Sequence, residues 1–262
     1  MIKRLSFIPV VLISIIFSSC STTSSTSSSS GVHPGESAIL WHQTSAEYEA
    51  LCYQAFGIAK QRVQMYKNGS LDRNTTKPIA VVMDLDETIL DNSPYNASLV
   101  LNGEKFKSES WEEWVKKENA KMVPGALDFL NFLRDNSVKY YFISNRDDKH
   151  LKYTFNNLSK NGVEVSDNEI FLDNGTSKKD RRERIDSYEI VLLIGDNLAD
   201  FDESFETNMG VKARKNRVQD QFKTQFGEKF IILPNPLYGD WEKALKNESR
   251  KREGQLELLR TK

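Results

Sequence analysis

The chain has 262 residues, 39% of them hydrophobic and 28% charged, with 36 basic against 37 acidic side chains. That length and balance describe one well-buried domain with extensions, and they exclude a chain disordered throughout. The net charge of −1, which becomes 34 basic against 37 acidic once Lys3 and Arg4 are removed, offers no reason for a nucleic-acid partner, and none is expected.

In chain order, Met1-Ile2-Lys3-Arg4 is a basic head, and Leu5 to Phe17 is an apolar run interrupted only by Ser6, Pro9 and Ser14. This is the pattern of a secretory signal, and it falls short of the roughly 20 apolar residues of a spanning helix. It ends in Phe17-Ser18-Ser19-Cys20, which resembles a bacterial lipoprotein signal. Cys20 would then be lipidated and become the new N-terminus, although Phe17 stands where such signals usually carry Leu or a smaller aliphatic residue. The Ser/Thr run after it has nothing to bury and suits a flexible tether over residues 21–35. With Cys20 so used, Cys52 has no disulfide partner and is expected as a small core residue.

Residues 44–67 carry apolar side chains at helical spacing, capped by Thr44 or Ser45. Pro78 to Asp84 is a continuous apolar run closed by an acid, the look of a buried parallel strand. Similar runs follow at Val138–Ser144, Glu169–Leu172, Tyr188–Gly195 and Lys229–Leu233. Helical patterns lie between them at about 124–135, 148–161, 178–186 and 200–206, and 240–262 reads as a surface helix. Strands alternating with helices predict an α/β fold with a doubly wound, mostly parallel sheet.

Open α/β sheets bind ligands beyond the carboxyl ends of their strands. Three polar clusters follow predicted strands: Asp84-Leu85-Asp86-Glu87-Thr88, Ser144-Asn145-Arg146 and Gly195-Asp196-Asn197-Leu198-Ala199-Asp200. Two carboxylates at one strand end repel unless a cation lies between them, and magnesium, a hard oxygen-seeking ion, suits that place. Ser177-Lys178-Lys179-Asp180-Arg181-Arg182 adds cations at a helix start. Four acids, a hydroxyl and a lysine at strand ends predict a site for phosphate and magnesium. His33, His42 and His150 lack flanking arginines and are expected on the surface, and no G-x-S-x-G elbow occurs.

The set resembles the haloacid dehalogenase superfamily and, within it, the class C acid phosphatases of the bacterial lipoprotein 5′-nucleotidase family. The similarity extends over about residues 40–245 and includes D-L-D-E-T-I-L-D-N-S-P-Y at 84–95, W-E-E-W-V at 111–115, V-P-G-A at 123–126, G-D-N-L-A-D-F at 195–201 and L-P-N-P-L-Y-G-D-W-E at 233–242. The resemblance implies a signal over 1–20, a tether over 21–35 and a phosphatase domain over 36–262, with an N-terminal helical extension and a small helical cap at about 91–122.

It further implies that Asp84 attacks phosphorus to form an aspartyl-phosphate, while Asp86 protonates the leaving alcohol and then activates water. Magnesium would be held by Asp84, the Asp86 backbone carbonyl and Asp196, with Asp200 acting through water. Ser144 and Lys179 would meet the phosphoryl oxygens, and Asn145 would bind substrate. The family pattern K-S-x-K-x-x-R matches only as Thr176-Ser177-Lys178-Lys179-Asp180-Arg181-Arg182, and the spacing to Arg182 selects Lys179 over Lys178. Trp111 and Tyr238 match the family's base-binding positions, so the implied substrate is a nucleoside 5′-monophosphate. The competing readings are a broad acid phosphatase without nucleotide preference and a surface haem- or ligand-binding lipoprotein. The expected location is a bacterial envelope, lipid-anchored at the outer membrane, with a homodimer left open.

Overall fold

The computed structural model describes residues 35–73, 75–249 and 258–259; the expected signal, Cys20 and most of the tether lie outside them. Five strands, β1 (Ile79–Met83), β4 (Lys139–Asp147), β5 (Ile170–Asp173), β6 (Glu189–Gly195) and β7 (Phe230–Ile232), form a parallel sheet in the order β5-β4-β1-β6-β7. Each lies within or beside a run expected to be a strand. Every residue of β1 is buried, as a central strand covered on both faces requires.

Side chains alternate across that strand. Val81 and Met83 face a core shared with α2 (Ala46–Lys67) and α5 (Ala126–Asp135), where Cys52, Phe56, Ala59, Val63, Phe129 and Leu133 pack. Val82 faces a second core with Ile143, Leu193, Phe201 and Phe230. Phe56 and Phe129 are both nearly fully buried with ring centroids 5.4 Å apart, so truncating either to Ala would cost about 3–5 kcal/mol. Gly125, at φ +82, turns the chain into α5, and a Cβ there would lie 3.1 Å from the Tyr53 ring, so only Gly suits the V-P-G-A turn. Ser45 caps α2 by accepting from the Tyr48 amide, and a separate short helix, α1 (Glu36–Thr44), precedes it.

Between β1 and α5 a two-stranded antiparallel stem, β2 (Leu90–Asp91) and β3 (Lys121–Met122), carries α3 (Ser93–Leu101) and α4 (Ser108–Lys116). Pro94 in the first turn starts α3 without losing a helical hydrogen bond. Later elements are α6 (Leu151–Lys160), α7 (Lys178–Glu183), α8 (Val211–Arg217) and α9 (Asp240–Glu248). Among the described residues no helix is long and apolar enough to cross a membrane.

Two expectations are corrected. The segment 200–206 is not an α-helix but two tight turns, Leu198–Asp200 and Glu203–Phe205, because the Asn197 and Asp202 side chains accept from amides two residues on and wind the chain more tightly. His42 and His150 are not surface residues: both are buried, His42 against the Tyr48 ring at 3.9 Å with Nε2 at 3.3 Å from Asp91. His33 lies outside the described residues.

Candidate active site

The chain runs outward from β1 to β4 and β5, then returns to β6 on the other side of β1, so the topological switch lies beside β1. Register places Met83 opposite Phe142 and Ile194, so Asp84 stands level with Ile143 and Gly195 and one residue short of Ser144 in β4 and Asp196 past β6. The Asp84 amide donates to Ile194 O at 2.9 Å and ties the two tips together. Beyond it Leu85 O accepts from the amides of Ile89 and Leu90, both at 2.8 Å, while Glu87 takes a left-handed φ of 58. That tight loop brings Asp84 and Asp86 to the same end of the sheet.

Asp84, Asp196 and Asp200 each offer a carboxylate oxygen within 4.8 Å of the others. Lys178 Nζ donates to Asp84 Oδ1 at 2.5 Å and to Asp200 Oδ1 at 2.6 Å, with all three groups buried. Asp196 accepts from Thr88 Oγ1 at 3.2 Å and Asn235 Nδ2 at 2.7 Å. Asp200 folds back over Gly195, where a Cβ would lie 2.3 Å from Oδ2; any side chain at Gly195 would displace that carboxylate. Burial, reinforced by the charges of Asp200 and Asp86, pushes the Asp84 carboxyl up to about 7 despite Lys178. Burial with Asp200 and Asp84 pushes Asp196 well above the usual carboxylate range. Lys178, facing two carboxylates, is held above the ordinary lysine range despite its own burial.

One ammonium against three carboxylates leaves two negative charges, which one divalent cation would balance. The donor set is all oxygen, so the residues fit a hard metal ion.

The structure corrects the choice of lysine. Lys178 turns inward to Asp84, whereas Lys179 is exposed and pairs with Glu203 at 2.9 Å. Ser177 caps α7 in a capping box with Asp180, so Lys178 and Arg181, three apart, share the buried face. The doublets Lys178-Lys179 and Arg181-Arg182 satisfy the same spacing in two registers, and packing selects the earlier one.

Asp86 does not join the acid cluster through its side chain. Its Oδ1 accepts from Arg146 Nη2 at 2.7 Å and Asn92 Nδ2 at 2.8 Å, so any part it takes in holding a metal falls to its backbone carbonyl. Ser144 is buried, its Oγ accepting from the Arg146 amide at 3.2 Å. Asn145 is exposed, with Oδ1 held by Arg181 Nη2 at 3.0 Å.

A cavity of about 990 Å3 opens over this floor, lined by Asp86, Asn145, Lys178 and Asp200 below and by Trp111, Phe106 and Tyr238 on its walls. Trp111 packs edge-on to Tyr95 at 5.3 Å, with the Arg146 guanidinium 5.7 Å from its ring centroid. Sequence reasoning placed Arg146 and Arg181 in polar clusters without giving them a role, and missed Asn92 and Phe106. Arg146, beside Ser144-Asn145 in the outer end of β4, was legible as a site residue; the fully buried Arg181, whose Nη1 donates to Ser144 O at 2.5 Å, carried no signal apart from its neighbours.

Comparison with known proteins agrees with this geometry. The family described as HAD superfamily, subfamily IIIB (Acid phosphatase) matches residues 22–241. The class C acid phosphatase from Bacillus anthracis is 39% identical with a TM-score of 0.77, over 86% of this chain and 96% of that one. A structure of that phosphatase with tungstate bound is 37% identical over the same shares, again with a TM-score of 0.77. Two stem glycoproteins of Glycine max, of 28 and 31 kDa, are 32% and 34% identical over 60% and 45% of this chain. The chain spans about half the length of these two curated relatives, 58% and 44% respectively. A match over most of the chain, joined to this fold and this cluster of acids, establishes that the chain belongs to the acid phosphatase subfamily IIIB of the HAD superfamily.

Proposed function

We propose that the protein is a magnesium-dependent phosphomonoesterase acting on nucleoside 5′-monophosphates through an aspartyl-phosphate on Asp84. The observation that carries the reading is the buried Asp84–Lys178–Asp200 arrangement beneath a cavity large enough for a nucleotide. A structure of the Bacillus anthracis relative has tungstate bound, a tetrahedral oxyanion like phosphate, which supports a phosphoryl group as the ligand here.

In this scheme the Asp84 carboxylate attacks phosphorus. Lys178 turns its ammonium to a phosphoryl oxygen, the Ser144 hydroxyl and the Asn145 amide donate to others, and Asp86 gives its proton to the departing alcohol. The same Asp86 then takes a proton from the water that hydrolyses the acyl-phosphate. A metal held by Asp84, the Asp86 carbonyl, Asp196 and Asp200 would supply positive charge to a phosphoryl group whose oxygens share the transition-state charge. Trp111 and Tyr238 would stack the base. The N-terminal pattern supports anchorage outside a bacterial cytoplasm through lipidated Cys20, at the outer membrane.

The test is phosphate release from a panel of nucleoside 5′-monophosphates and base-free esters, with magnesium and after chelation. Metal-dependent turnover favouring nucleotides is expected, with a phosphoenzyme trapped on Asp84 and none in Asp84→Asn. Full activity after exhaustive chelation, or phosphate trapped elsewhere, would sink the scheme.

A further inference from the structure

Asp86 is held by Asn92 at the base of the cap and by Arg146 of β4, through contacts with a definite polarity. Its Oδ1 takes Arg146 Nη2 at 2.7 Å and Asn92 Nδ2 at 2.8 Å, and shares Arg146 Nε with Oδ2 at 3.0 and 3.1 Å. Oδ1 is thereby saturated. Oδ2 keeps one longer contact and is the oxygen with room for a proton.

The grip depends on how Asn92 is turned. A carboxamide has nearly the same shape with its oxygen and nitrogen exchanged, and the exchanged form would set its oxygen against the Asp86 carboxylate. The Leu90 carbonyl, accepting from Nδ2 at 3.3 Å, and Trp114 on α4 select the same form. The Trp114 indole N–H can only donate, and Nε1 lies 2.8 Å from Asn92 Oδ1, which forces Nδ2 toward Asp86. Asn92 is fully buried, so water does not substitute for the indole, and its backbone amide is tied to Glu87 Oε1 at 2.8 Å. Neither Asn92 nor Trp114 lines the cavity.

We propose that Trp114 and Asn92 are positioning residues that anchor Oδ1 of Asp86 so that Oδ2 delivers the proton to the leaving-group oxygen. The inference rests on the reading of Asp86 as general acid. As an Asp84 oxygen bonds to phosphorus, the electrons of the breaking P–O bond pass to the departing oxygen. That oxygen takes the proton from Oδ2 and leaves Asp86 as a carboxylate.

The experiment uses two base-free substrates, an alkyl phosphate whose alkoxide needs a proton to leave and p-nitrophenyl phosphate, whose phenolate does not. Trp114→Phe keeps an aromatic ring but loses the N–H with the pyrrole half of the indole; Asn92→Asp keeps an acceptor for the indole and sets an oxygen where the donor to Asp86 was. Each is expected to lower kcat/KM for the alkyl ester about tenfold more than for p-nitrophenyl phosphate, with KM nearly unchanged. Asp86→Asn should show the same selectivity more strongly, about 10²-fold or beyond. If Asp86→Asn is selective but both positioning variants slow the two esters equally, or not at all, the relay is overturned and Asp86 remains the acid. If Asp86→Asn is itself unselective, the assignment of Asp86 as acid falls and the relay with it.

Discussion

The floor of the site and its walls are built on different terms. On the floor, Asp84, Lys178 and Asp200 are each less than a tenth exposed, and each is held by at least one other member of the trio. On the walls, Trp111 and Tyr238 are half-buried, and Phe106, more than half exposed, stands in solvent. Charges at the floor must be over-determined because an unpaired buried charge is expensive, whereas an aromatic wall needs only a face and a place. Chemistry is therefore expected to fail sharply on floor substitutions, and specificity to erode gradually on wall substitutions.

The lysine doublet breaks the comparison most severely if it is wrong. Lys178→Met should lower kcat/KM by about 10²–10³-fold, as loss of one charge-stabilising group does, and should also destabilise the metal-free fold by leaving Asp84 and Asp200 unpaired. Lys179→Met, one residue along but facing solvent and Glu203, should stay within about twofold of wild type. Similar losses from the two changes, measured by steady-state kinetics beside thermal melts, would restore the later register.

A second test asks how much the buried acids hold against each other. The Asp84 carboxyl is raised to about 7 in the fold, so its contribution is fully present below the ordinary carboxylate range and is lost as pH rises through about 7. Asp196 and the buried Glu87, both pushed upward chiefly by burial, act in the same direction. Lys178, raised from the lysine range, loses its contribution only at alkaline pH. Metal-free protein should therefore lose stability as pH rises from about 4 through about 7, by on the order of a few kcal/mol from Asp84. Added magnesium should raise the melting temperature much more at pH 8 than at pH 5. A metal-induced shift independent of pH would show that the acids are not the binding site.

The smallest effects belong to the walls. Trp111→Ala and Tyr238→Ala should each cost about 1–3 kcal/mol in kcat/KM on a nucleoside 5′-monophosphate, the worth of one stacked base, and far less on a base-free ester. Equal losses on both substrates would mean that these rings only support the cap.

Most of the fold was legible in the chain because its signals are local. The apolar runs ending at Met83, Ser144 and Gly195 read as buried strands, and polar residues immediately after a strand have nowhere to go but its tip. Asp84, Asp196 and Asp200 followed from that, because apolar content and sequence position together define a strand end. Nothing local, however, separates Lys178 from Lys179, since both precede an arginine by three residues. Only the capping of α7 by Ser177 and its packing beneath β4 turn the first inward. The burial of His42 and His150, the carbonyl-facing Arg181 and the chain from Trp114 through Asn92 to Asp86 likewise join residues far apart in sequence. Hydrophobic periodicity by itself determined which segments became strands and which acids stood at their ends. Which cation meets those acids, and how Asp86 is turned, was decided only when the cap and α7 closed over the sheet, because hydrogen-bond polarity and burial are properties of neighbours in space.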